Sequence, residues 1–119
     1  MKIAITSKGQ NLTAEVDPRF GRAAYILIVD TDTLAFEVID NAMNKESFKG
    51  AGIQAAANIC DTGAKVLLTG FCGPNAFKTL DAADIKVANN ATGTIQSAID
   101  TYLAGKFEFA TAANVEGHW

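Results

Sequence analysis

A thiol lies within a strand-to-helix turn of a kind that suits an anion. The apolar run Lys65–Thr69 has the length and composition of a buried strand, and the turn Gly70–Asn75 follows it directly. Pro74 fits the first position of a helix, because an amide at that position has no helical partner. Free backbone N–H groups and the positive end of the helix dipole therefore meet in this turn. It predicts an anion site at Phe71, Cys72, Gly73, Pro74 and Asn75.

Basic side chains in the loops are the other candidates for contact with an anion. Five of the ten Lys and Arg residues fall in two loop segments: Lys8, Arg19, Arg22, Lys45 and Lys49. Arginine offers several directed donors to an anion. A second interpretation is that one of these two arginines, Arg19 or Arg22, pairs with Asp17 and holds a turn, and such a pair is worth little at a surface. Both interpretations can hold together.

Three further side chains each have two interpretations. Cys72 either contacts a thiophilic metal, since a helix N-terminus favours its thiolate, or fills a small apolar slot. His118, the only histidine, is either a metal ligand or a solvated group of the C-terminal tail. Phe20 is either an apolar wall of the site or an anchor in the core, and we favour the anchor. One cysteine and one histidine do not complete a tetrahedral metal site, so a bound cluster must bring its own sulfides.

Length and composition exclude several classes of protein. The 119 residues predict one domain over 1–119, and the formal net charge of −3 argues against nucleic-acid or membrane-surface partners. No apolar run approaches the roughly 20 residues of a membrane span. The N-terminal residues are typical of a first strand rather than a signal peptide. Two cysteines, of which Cys60 is expected to pack in the core, make no disulfide framework, and we expect a cytoplasmic protein.

The elements that position these residues follow the order βββαβαβα. Apolar, β-branched runs predict five strands, the first three joined as antiparallel neighbours: 2–6, 24–30, 36–39, 65–69 and 85–88. Apolar residues at helical spacing predict three helices: 52–62, 74–83 and 93–104. The tail 106–119 has no clear period.

This order predicts an α/β fold with a mixed five-stranded sheet of strand order 3-2-1-4-5, which is the connectivity of the ribonuclease H-like fold. Ligands of open α/β sheets bind at the carboxyl ends of the strands. We call the loops at that end the rim: 7–22, 41–50, 70–74 and 89–93. The rim holds five basic and three acidic residues, a formal +2, while the rest of the chain is −5. The pattern predicts a compact anionic ligand at the rim.

Four blocks of sequence resemble a known family. The blocks are Asp17–Ala23 with Tyr25, Gly50–Ala56, Gly70–Phe77 and the ending Asn114–Trp119. Together and in this order they resemble the dinitrogenase iron–molybdenum cofactor biosynthesis family along essentially the whole chain. In that family the position of Cys72 is more often a small aliphatic residue, so the resemblance does not supply a role for its thiol.

The resemblance implies a ribonuclease H-like domain that binds or carries a metal–sulfur cluster or a cofactor precursor. The family includes proteins that handle nitrogenase cofactor precursors. It also includes the orange-protein group of anaerobes, which hold a molybdenum–copper sulfide cluster without a dense set of protein ligands. The implied cofactor is a cluster of molybdenum with copper or iron, which purified recombinant protein can lack.

No motif in the chain points to catalysis. The strand 2–6 carries none of the carboxylates that a two-metal nuclease needs, and the chain has no Walker motif and no Gly-x-Gly-x-x-Gly after a strand. We therefore expect a non-enzymatic binding or carrier protein for an anionic metal–sulfur cluster. Two alternatives stay open. One is a metal-free module that binds a partner ATPase or ferredoxin-type protein, and the other is a binder of a small phosphate ligand at the rim.

Overall fold

The computed structural model describes residues 1–41 and 51–110, which form a mixed five-stranded sheet and three α-helices. The strands are β1 (Lys2–Ser7), β2 (Tyr25–Asp30), β3 (Phe36–Asp40), β4 (Val66–Leu68) and β5 (Lys86–Ala88). The helices are α1 (Ala51–Cys60), α2 (Pro74–Ala82) and α3 (Ile95–Leu103). A single 3₁₀ turn, Phe20–Arg22, lies in the loop between β1 and β2.

The sheet has the strand order β3-β2-β1-β4-β5, as the sequence predicts. β2 is antiparallel to β1 and to β3, whereas β4 is parallel to β1 and to β5. The carboxyl ends of β1, β3, β4 and β5 therefore share one end of the sheet, where the rim lies. The predicted third helix begins two residues late, because Gly93 has a φ of +81° and Thr94 is the N-cap, whose hydroxyl accepts from the Ser97 amide.

The two faces of the sheet bury two apolar clusters, since alternate residues of a strand point to opposite faces. One cluster packs α1 and α2 against one face, with Ile26, Ile28 and Leu67 from the sheet and Ile59 and Leu80 from the helices. The other packs α3 against the opposite face through Ile95 and Ile99. The helices that follow β3 and β4 thus lie on one side, and both are held by core contacts.

The start of the tail extends the sheet, which the sequence did not predict. Phe109 forms an isolated antiparallel bridge with Ala88, and the Ala110 amide donates to the Val87 carbonyl at 2.7 Å. One bridged residue pair has no sequence period, so pattern reasoning could not find it. The remainder of the predicted tail, 111–119, lies outside the described residues. Within the described ranges, no helix is long and apolar enough to cross a membrane.

Candidate functional site

Two buried threonines lie at the carboxyl ends of the central strands β1 and β4. The Thr6 hydroxyl of β1 donates to the Asp17 carbonyl at 2.7 Å and lies 2.9 Å from the Thr69 hydroxyl, just after β4. The Asp17 amide in turn donates to the Thr6 carbonyl at 2.9 Å. Both threonine side chains are fully buried. The segment at Asp17 is therefore fixed directly above the ends of β1 and β4.

The loop after β4 packs tightly against this segment. The Phe71 amide donates to the Pro18 carbonyl at 2.7 Å, and the Phe20 amide donates to the Phe71 carbonyl at 3.2 Å. Gly70 makes the approach possible, because a Cβ atom there would lie 2.6 Å from the Pro18 Cα and carbonyl oxygen. Arg19 and Phe71 thus form a parallel bridge. The part of the β1–β2 loop that carries Arg19 is therefore held beside the turn that leads into α2.

The N-terminus of α2 is a helix start that suits a ligand. Gly73 is its N-cap, Pro74 occupies the first turn, and no side chain caps it in the described part of the chain. The start of α3 differs, because the Ile95 amide donates to the Ala14 carbonyl at 2.8 Å and the Gln96 amide donates to the Leu12 carbonyl at 2.9 Å. First-turn amides and the helix dipole favour an anion at α2.

The basic side chains of the rim are less available than their formal charge suggests. Lys8 Nζ lies 3.5 Å from a Glu15 carboxylate oxygen, and both side chains are exposed. Arg19 Nε lies 3.6 Å from Asp17 Oδ1, so the turn-holding interpretation of Arg19 is also present. Arg22 is half-buried at the end of the 3₁₀ turn and has interactions of its own. Lys45 and Lys49 lie outside the described residues.

Cys72 packs in the core rather than lining the rim. Its side chain is fully buried in the cluster beneath α1 and α2, and its Sγ lies 3.8 Å from the Gly73 carbonyl oxygen. Burial raises the pKa of the Cys72 thiol to about 12. A ligand role needs a thiolate, so the structure favours the packing interpretation. Phe20 is also fully buried in this cluster, which favours the core anchor over a wall of the site.

The two cysteines should differ sharply in their reactivity with a thiol reagent. At pH 8 a thiol with a pKa of about 12 is ionised in only about one molecule in ten thousand, and the thiolate is the reacting form. Cys60 is only partly buried. We expect native protein to react quickly at one thiol and the second to react only in denaturant. C60A should abolish the fast phase and C72A should keep it. A fast phase that survives C60A would show that Cys72 is accessible.

Asn41 is a structural residue that the sequence analysis missed. It is buried at the end of β3, and its side-chain amide donates to the carbonyls of Ala23 at 2.9 Å and Gly21 at 3.3 Å. Its backbone amide donates to Ala24 at 3.0 Å. Asn41 therefore fixes the Gly21–Ala23 end of the loop that carries Arg19. An asparagine after a strand is typical of any turn, so its sequence position carries no signal of this role.

The structure brings together only some of the predicted site residues. The backbone contacts bring Arg19 and Phe71 together beside the start of α2, where Gly73, Pro74 and Asn75 lie. Lys8 lies on the same loop as Arg19 but pairs with Glu15, and His118 lies outside the described residues. In residues 1–41 and 51–110, no three His, Cys, Asp or Glu side chains are grouped so that they could hold a metal ion.

Comparison with known proteins agrees with the fold. A family model described as dinitrogenase iron-molybdenum cofactor matches residues 1–105. The apo form of the orange protein from Desulfovibrio gigas is 44% identical, with 96% of each chain covered and a TM-score of 0.92. A putative NifB protein from Thermotoga is 35% identical, with 98% of each chain covered and a TM-score of 0.82. An uncharacterized protein of Methanocaldococcus jannaschii is 28% identical over 111 residues, which are 91% of this chain and 90% of the relative.

Proposed function

The chain belongs to the dinitrogenase iron-molybdenum cofactor family, and from this membership we propose that it binds and carries an anionic metal–sulfur species at the rim, without catalysing a reaction. One observation carries the proposal. The N-terminus of α2 has no side-chain cap in the described part of the chain, and the backbone bonds between Pro18, Phe20 and Phe71 hold Arg19 beside it. The backbone of an arginine and the first amides of a helix thus lie in adjoining turns.

This arrangement suits a cluster that brings its own sulfides. Sulfide and oxide ligands accept hydrogen bonds from backbone amides and from a guanidinium, and the positive end of α2 stabilises their charge. The dipole contributes roughly 0.3–1 kcal/mol, and each charge-assisted hydrogen bond contributes about 1.5–3 kcal/mol. A few such contacts reach the roughly 8 kcal/mol of a micromolar complex. The proposed cargo is a molybdenum sulfide with copper or iron, held without a Cys72–metal bond.

An anaerobic titration with tetrathiomolybdate, with and without Cu(I), tests the proposal. We expect a saturable change in the visible spectrum with a micromolar dissociation constant. R19A should weaken binding about tenfold and make its salt dependence shallower, because one charge-assisted contact is lost. K86A is the matched control. Lys86 is exposed at the amino end of β5, so this substitution removes one positive charge from the end of the sheet opposite the rim.

The outcomes separate the alternative functions. If the wild-type protein takes up no metal sulfide, the rim is not a cluster site and a protein-binding module becomes the better interpretation. If inorganic phosphate binds as tightly as tetrathiomolybdate and competes with it, the ligand is a phosphate compound. If R19A and K86A weaken binding equally, the affinity depends on the net charge of the protein and not on a contact at the rim.

A further inference from the structure

Asp17 is a buried carboxylate that touches Arg19 twice. Its Oδ1 atom accepts a hydrogen bond from the Arg19 amide at 3.1 Å and lies 3.6 Å from Arg19 Nε. The Asp17 side chain is only 4% exposed, whereas the Arg19 side chain is 52% exposed. The carboxylate therefore belongs to the floor of the rim, and the guanidinium that it contacts belongs to the surface.

The backbone of Asp17 is fixed as firmly as its side chain. Its amide and its carbonyl both bond to Thr6, at 2.9 Å and 2.7 Å. Thr6 is fully buried at the end of β1 and touches Thr69 after β4. The position of the Asp17 carboxylate is thus set by the two central strands of the sheet, which also precede the rim loops.

We infer that Asp17 is a positioning residue, which holds the Arg19 guanidinium by its Nε side beside the start of α2. The inference rests on the proposed function, because it names the group that prepares the anion site. Arginine has five N–H donors, and the ion pair uses the Nε side. The contacts of Arg19 with Asp17 involve its backbone amide and its Nε atom, and we assign the donors on the two Nη atoms to the ligand.

The inference predicts an effect opposite in sign to simple charge. Asp17→Asn removes a negative charge from beside an anion site, and by Coulomb attraction alone the variant should bind anions more tightly. If Asp17 positions Arg19, the variant should instead bind tetrathiomolybdate about fivefold to tenfold more weakly, because the exposed guanidinium loses its preferred orientation. Glu15→Gln is the matched control, since Glu15 is an exposed acid of the same loop. We expect this control to bind as tightly as wild type or slightly more tightly.

A double-mutant cycle tests whether Asp17 acts through Arg19. D17N, R19A and the double variant are titrated with tetrathiomolybdate, and D17N should cause no further loss of affinity once Arg19 is absent. An equal loss in both backgrounds would show a general loop defect and overturn the inference. Equal or tighter binding by D17N in the presence of Arg19 would overturn it too.

A ligand-free measurement keeps this inference distinct from the proposed function. In NMR relaxation measurements on the ¹⁵N-labelled protein, the Arg19 Nε–H should have a clearly higher order parameter in wild type than in D17N, because the carboxylate restrains the guanidinium. If wild type binds no metal sulfide, the proposed function fails while this relaxation result still decides the role of Asp17. An unchanged order parameter would overturn that role. If D17N does not fold, Asp17→Glu, which displaces the carboxylate by one methylene group, replaces it in both measurements.

Discussion

G70A is expected to destabilise the protein by about 2–3 kcal/mol and to abolish binding at the rim. The added Cβ would lie 2.6 Å from the Cα and the carbonyl oxygen of Pro18. Both are backbone atoms, so no flexible side chain can move aside, and inserting a methyl group into such a contact costs roughly 1–3 kcal/mol. The Pro18 segment must move, and the bonds that join Phe71 to Pro18 and Phe20 must lengthen.

Urea unfolding and amide hydrogen exchange measure the two parts of this prediction. The denaturation midpoint should fall in G70A, and the Phe71 and Phe20 amides should lose protection while the amides of β1 keep theirs. G63A is the matched control, because Gly63 has a φ of +83° with open space around its Cβ position. That variant should lose about 1 kcal/mol through backbone strain alone and should keep its binding. Wild-type stability and binding in G70A would contradict the close packing of the two loops.

The strand order could be predicted from the sequence because each step of the chain has a local cause. A hairpin joins β2 to β3, and the short αβ connections force right-handed crossovers that place β4 and β5 on the other side of β1. The ends of the elements are harder to predict from sequence patterns. Only Val66–Leu68 of the predicted strand 65–69 is assigned as β4, although Lys65 and Thr69 still donate backbone hydrogen bonds to the neighbouring strands β1 and β5.

The contacts of the rim could not be predicted, because they join residues that are far apart in sequence. Thr6 and Thr69 are 63 residues apart, and their hydroxyl contact depends on β1 and β4 being neighbours in register. The burial of Cys72 depends on which way the turn after β4 faces, and spacing does not reveal this. The count of charged residues also overstated the positive charge that the rim offers to a ligand, since Lys8 and Arg19 both have acidic partners within their own loop.

N75D should stabilise the protein and weaken its ligand binding at the same time. Asn75 is exposed at the second position of α2, and a carboxylate in the first turn of a helix stabilises it by about 0.3–1 kcal/mol. The same carboxylate would repel an anion bound at that helix start. At an effective dielectric constant of about 20, two unit charges roughly 6 Å apart repel by about 2–3 kcal/mol, which is a thirtyfold to hundredfold loss of affinity.

N58D is the matched control for this prediction, because it makes the same chemical change in the last turn of α1. Asn58 is exposed there, and the C-termini of helices disfavour negative charge. We expect N58D to lower stability slightly and to leave the dissociation constant for tetrathiomolybdate unchanged. Thermal unfolding and anaerobic titration of both variants give the two quantities. If N75D raises stability but binds as tightly as wild type, the anion does not lie at the start of α2. The opposite signs matter because a general folding defect would lower stability and binding together.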